Sequence, residues 1–336
     1  MKRSQAILLA VFLMFTIQAV CADAPLKLMT AYKFPSDVEG NFDHCIVDVQ
    51  SNRLFTTPEK HHSVDVFDLK SGKLIHSITG IDTPHALLYR DDLQQLYVTD
   101  GGVGALKIFD GKTYKLIKSV KLFLDADSVT YEPSTKYLYV TNGGGDEHQT
   151  STTISVIDTT KGEKVKDIKL DGDTLEAMAL ETQSSKMYVD NRAKNRVDVV
   201  DRSSGTVTAS WPVTKGDTIV AIALDEPHHR LFVAARSGAI VVFDTASGKE
   251  LQALPIDKGV DDLVFDAASK RLYAPCSSGT IGVYEQTDAD HYKLLGKVAG
   301  GPLGRTGRLV PELKRYFLPV PKHGSTEAEV MVYEVQ

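Results

Sequence analysis

Short runs in which apolar and polar residues alternate cover most of the chain, and apolar residues nowhere recur every three to four positions as a helix face requires. Two such runs recur seven times each. One centres on an aromatic residue: Phe55, Tyr97, Tyr139, Tyr188, Phe232, Tyr273 and Phe317. The other is an alternating strand closed by an acid: Val64–Asp68, Leu106–Asp110, Ile154–Asp158, Val197–Asp201, Ile240–Asp244, Ile281–Glu285 and Val330–Glu334. The aromatic residues are spaced by 42, 42, 49, 44, 41 and 44 positions. A period in the forties built only of strands and turns predicts propeller blades, four strands to each.

In the third unit, strand A is expected over Asp127–Tyr131, B over Tyr137–Thr141, C over Ile154–Asp158 and D over Lys164–Leu170. Polar turns such as Ser71-Gly72-Lys73 and Ser247-Gly248-Lys249 join C to D, and the acid closing each C strand can accept hydrogen bonds from that turn's backbone. The last unit ends at its third strand, while Leu26–Phe34 resembles a fourth. The fold class expected is therefore all-β: a single seven-bladed β-propeller over residues 26–336, its ring closed by the N-terminal strand pairing into the last blade.

Tyr139-Val140-Thr141-Asn142 is the tetrapeptide that names the YVTN β-propeller repeat, and Tyr97-Val98-Thr99-Asp100 differs only in its last residue. Over Leu26–Gln336 the chain resembles the YVTN-family, YncE-like propellers of bacterial envelopes. That resemblance implies the fold and an envelope location, and little chemistry, since the motif is blade architecture.

Lys2 and Arg3 precede the apolar stretch Ala6–Val20, followed by small residues at Val20-Cys21-Ala22 and Ala22-Asp23-Ala24, so residues 1–22 read as an export signal. The stretch is about 15 residues long against the roughly 20 of a spanning helix, so no membrane span is expected after cleavage. A periplasmic or secreted monomer follows. Losing Lys2 and Arg3 moves the net charge from −6 to −8, which argues against nucleic acid as a partner. Cys45 and Cys276 fall in different blades, so they are expected as buried thiols rather than a disulfide.

In a propeller the A strands line the central channel. Twelve residues before each aromatic anchor, at the channel mouth, stand Asp43, His85, Asp127, Glu176, Val220, Asp261 and Arg305. The next column is His44, Ala86, Ser128, Ala177, Ala221, Asp262 and Thr306, and the one after it is apolar from Cys45 to Leu263. The ligand-binding candidates are thus Asp43, His44, His85, Asp127, Glu176, Asp261, Arg305 and Arg308. Asp43, His85, Asp127 and Glu176 come from four consecutive blades, and carboxylates with imidazole suit a divalent metal ion, the one candidate cofactor. The same groups can equally be the polar lining of a water-filled mouth. The B–C loops of these blades add His61, His62, Asp100 and the inserted Asp146, Glu147 and His148. Arg305 and Arg308 can clamp a ligand carboxylate or phosphate, or pair internally with Asp261, Asp262 or Asp43.

Neither a nucleophile elbow nor a phosphate-binding glycine loop occurs. The expected function is an exported binding or scaffold protein that recognises a protein or small-molecule ligand of the envelope at the mouth. The alternative is a metal-dependent, lactonase-like hydrolase, with Glu176 or Asp127 as general base.

Overall fold

A computed structural model describes residues 24–144 and 151–336 of the chain; the expected export signal and Asp146, Glu147 and His148 lie outside the described residues. The described chain forms seven four-stranded antiparallel sheets. Six take their strands in sequence order, as in the blade running Val129–Glu132, Tyr137–Asn142, Thr152–Asp158 and Glu163–Leu170. In the seventh, Leu26–Lys33 pairs with Glu329–Val335, which continues to Arg315–Val320 and Arg308–Val310. The first described strand therefore completes the last blade.

All seven aromatic anchors are buried to 3% exposure or less, because strand B is covered on both faces by neighbouring blades. The core is a set of interblade layers. One holds Ile46, Phe55 and Val66 of blade 1 against Leu87, Leu96 and Phe109 of blade 2. Another joins the ring's ends, packing Tyr32, Phe317 and Val330 against Phe42, Leu54 and Phe67. Trp211 lies on an outer strand between Tyr188 and Phe243. Cys45 and Cys276 are free and buried, and burial pushes both thiols up to about 12.

Five of the acids closing strand C cap the following turn: Asp68, Asp110, Asp158, Asp201 and Asp244 each accept a backbone N–H two or three residues on. In blade 6 the strand runs past Glu285 to Asp288, and Asp288 takes over the capping of Asp290 and His291.

What positions the site is a bulge near the start of strand A. The register slips between Phe42 and Cys45, Pro84 and Leu87, and Leu175 and Met178. A bulge breaks the alternation of faces, so neighbours such as Asp43 and His44 both line the channel mouth. The threonine of the YVTN-type phrase secures this geometry from strand B. Thr57, Thr99 and Thr141 donate their hydroxyls to the carbonyls of His44, Ala86 and Ser128 at 2.9, 3.3 and 3.4 Å.

Candidate functional site

The mouth column expected from the aromatic register, Asp43, His85, Asp127, Glu176, Val220, Asp261 and Arg305, lines one cavity of about 260 Å³. His44 joins it from the next position. Arg308 does not. It lines the chamber below the mouth, three residues after Arg305.

His85 is the hub of blades 1 to 3. Its Nδ1 donates to Asp43 Oδ2 at 2.8 Å and stands 4.0 Å from Asp127 Oδ1. His44 Nε2 lies 3.5 Å from the other Asp43 oxygen, and Thr306 Oγ1 donates to the Asp43 carbonyl at 2.7 Å. Burial opposes a charged imidazole, yet the hydrogen bond to Asp43 and the charges of Asp127, Asp43 and Glu59 hold His85 up at about 10. His85 is therefore an imidazolium at neutral pH. Burial also opposes ionisation of Asp43, but His44, His85 and Arg305 keep its carboxyl well below the usual range.

Asp127 is different. Its side chain is 19% exposed and, among the described residues, accepts no hydrogen bond. Burial, reinforced by Asp43 and Glu176 against the single opposing charge of His85, raises it well above an ordinary aspartate.

The opposite side of the cavity belongs to arginines. Arg236 Nε donates to Asp261 Oδ1 at 3.0 Å, and Arg305 Nε lies 2.8 Å from Asp261 Oδ2, so two guanidiniums share one carboxylate. Arg305 is thus internally paired rather than an open clamp. Arg192 Nη1 donates to Glu176 Oε1 at 2.7 Å. Even so, burial and the charge of Asp261 push Glu176 up to about 7.

Glu59, Arg192 and Arg236 were not among the residues expected from the sequence, and all three line the cavity. Each stands four residues after an aromatic anchor, at the start of the B–C loop, where the other blades carry Gly101, Gly143, Ser277 and Pro321. Counting forward from the anchor as well as backward finds them. Glu59 completes a trio with Asp43 and His85 in which one ligand atom from each lies within 4.8 Å of the others. Of the four metal candidates expected from the sequence, Asp43 and His85 are together, Asp127 is adjacent, and Glu176 is tied to Arg192.

His61, His62 and Asp100 do not reach the mouth cavity. His61 turns to Ser63 at 3.0 Å, and His62 to the Asp82 carbonyl. Asp100 is fully buried, pairs with Lys107 at 2.6 Å and accepts the N–H groups of Asp82 and Thr83. Asp262 faces the deeper channel beside His44, and accepts the N–H groups of Leu263 and Gly307 at 2.8 and 3.2 Å.

No protein-family model matches the chain, and no curated protein matches it. Solved structures do. A chain of the crystal structure of the mitotic checkpoint complex superposes with a TM-score of 0.75 at 12% identity, over 99% of this chain and 99% of that one. A chain of the hydrazine synthase of Kuenenia stuttgartiensis superposes with a TM-score of 0.73 at 18% identity, over 96% of this chain and 100% of that one. At such identities the likeness is one of fold: the chain is a seven-bladed β-propeller. Among the described residues no helix is long and apolar enough to cross a membrane.

Proposed function

We propose that this protein is an exported, YVTN-type binding propeller whose channel mouth captures a small ligand carrying positive charge. The observation that carries the reading is the state of Asp127 and Glu59. Both carboxylates face the cavity, and among the described residues neither accepts a hydrogen bond; the nearest cations are His85, 4.0 Å from Asp127, and Arg305, 3.9 Å from Glu59. Carboxylates in a recess are costly to leave without donors, and a bound cation supplies the missing partner. The described lining contains no Phe, Tyr or Trp, which favours a small ligand over a protein anchored by aromatic hot spots. Export rests on Lys2, Arg3 and the apolar stretch Ala6–Val20.

The test is the melting temperature in the presence of Mn²⁺, Zn²⁺, Ca²⁺ or putrescine at millimolar concentration. Ligand binding to the folded state raises it in proportion to the logarithm of concentration over Kd. At least one cation should shift the wild type by several degrees and leave Asp127→Asn unmoved. No shift with any of them, or an equal shift in the variant, overturns the reading.

A second reading is favoured by the trio Asp43, Glu59 and His85. These residues would hold a divalent ion once His85 gives up its proton, so affinity should rise with pH. Such an ion would polarise a carbonyl and acidify a bound water. Glu176, at about 7, has the proton affinity of a general base for lactone or ester hydrolysis. Turnover that depends on the stabilising cation and disappears in Glu176→Gln would establish this reading; its absence across a lactone and ester panel would leave only binding.

A further inference from the structure

Below the charged mouth the channel wall gains a ring of aliphatic side chains among polar groups such as His44, Ser128 and Asp262. Cys45, Leu87, Val129, Met178, Ile222 and Leu263, one from each of six blades, line a chamber of about 320 Å³. Blade 7 contributes Gly307, which has no side chain, and then Arg308. Arg308 is exposed to this space and continues along it. It also lines the next chamber, of about 320 Å³, with Ile46, Leu88 and Tyr131. A third, of about 370 Å³, follows beside Val47, Leu309 and Glu312. These volumes fall within the range of ligand pockets, roughly 300–1,000 Å³.

Unlike Arg305, Arg308 has no ion pair and no hydrogen bond among the described residues. Asp262 is close enough to feel its charge, but that carboxylate is already held by the backbone N–H groups of Leu263 and Gly307 and turned toward His44. Behind Gly307 lies a second polar group without a partner. The Tyr316 hydroxyl is fully buried and unbonded among the described residues, and a Cβ added to Gly307 would stand 2.1 Å from it. An unpaired guanidinium beside a row of aliphatic side chains is an anion site whose surroundings also reward hydrocarbon. Its planar fork matches a carboxylate and can bind both of its oxygens at once.

We propose that this section of the channel binds a small organic monocarboxylate, its carboxylate on Arg308 and its hydrocarbon body against Ile46, Leu87, Val129 and Leu263. The site lies directly below the mouth, with His44 and Ser128 shared between the two cavities, and its proposed chemistry does not rest on that of the mouth.

Isothermal titration calorimetry of the full folded chain with butyrate, hexanoate and octanoate tests the assignment, with 1-octanol as the uncharged control. Affinity should tighten along the series, by up to about fourfold per methylene transferred from water. Octanol should bind at least tenfold more weakly than octanoate. Arg308→Gln should lose at least tenfold in octanoate affinity with its melting temperature unchanged, since no partner is broken. Arg308→Lys should fall between, because the charge remains without the fork, and Lys112→Gln on the outer surface should match the wild type. Four results would each overturn the proposal: equal octanoate binding in Arg308→Gln, octanol binding as tightly as octanoate, no dependence on chain length, or no binding at millimolar octanoate.

Discussion

Asp190 shows what one residue can cost a repeat. It stands where blades 1, 2 and 3 carry Thr57, Thr99 and Thr141, whose hydroxyls tie strand B to the strand-A bulge. Asp190 is fully buried, and neither carboxylate oxygen has a hydrogen-bond partner among the described residues. Burial, with the charge of Glu176 behind it, raises its pKa well above the ordinary 3.8. In the unfolded chain the same carboxyl ionises near that ordinary value. The folded state therefore holds a proton that the unfolded state has released, and stability falls as pH rises above about 4. Asp190→Thr removes this penalty and restores the hydroxyl clamp. The variant should melt only slightly above the wild type at pH 4, and the gap should widen toward pH 8, where the gain should reach about 1–3 kcal/mol. Thermal unfolding across that range checks it; a gap that stays constant or reverses would mean that Asp190 is not held neutral.

At the scale of the element, the first residues of strand A and the start of the B–C loop make the mouth together. Gly101 shows how closely they fit: a Cβ there would lie 2.7 Å from His85 Nε2. Gly101→Ala should push the imidazole off Asp43 without breaking the blade, because the obstructed atom is the tip of a side chain. His85 is protonated up to about 10 when folded, against 6.5 unfolded, so the stability it contributes is complete below pH 6.5 and lost as pH climbs toward 10. The melting-temperature deficit of Gly101→Ala should thus be largest near pH 6 and close by pH 10; a deficit independent of pH would point to a backbone effect instead. The same pairing of elements explains how far the sequence could be read. The strand periods, the anchors and the mouth column were legible because a two-residue repeat leaves its mark in hydropathy. The bulge was not: it inserts a residue without changing composition, and it alone turns His44 beside Asp43. The pairing of Arg305 with Asp261 was one of the alternatives the mouth column offered, but the arrival of Arg236 from blade 5 on the same carboxylate was not legible, since it depends on a channel width that no local pattern encodes.

For the whole molecule, closure of the ring is the feature on which every interblade layer depends. A propeller blade is stable only between two neighbours, so an open ring leaves two apolar faces in water. Here the seam is Leu26–Lys33 against Glu329–Val335, a pairing that also buries Leu26, Tyr32 and, just beyond, Phe34. Removing that strand would deprive Glu329–Val335 of its outer partner and strip Tyr32 and Phe34 from the layer shared by blades 7 and 1. Fully burying one large apolar side chain contributes about 1.5–3 kcal/mol, so three of them approach the whole net stability of a typical domain. The charged mouth makes the matter sharper, because Thr306 of blade 7 donates to the Asp43 carbonyl of blade 1 across the interface that this closure brings together. A chain beginning at Pro35 should accordingly lose cooperative thermal unfolding and expose apolar surface to a hydrophobic dye. A chain beginning at Ala24, which keeps the strand, should unfold in one sharp transition. Supplying Leu26–Lys33 as a separate peptide should restore that transition to the shortened chain. If the shortened chain instead melted as sharply as the longer one, six blades and a three-stranded seventh would suffice, and the N-terminal strand would be a cover rather than the closure.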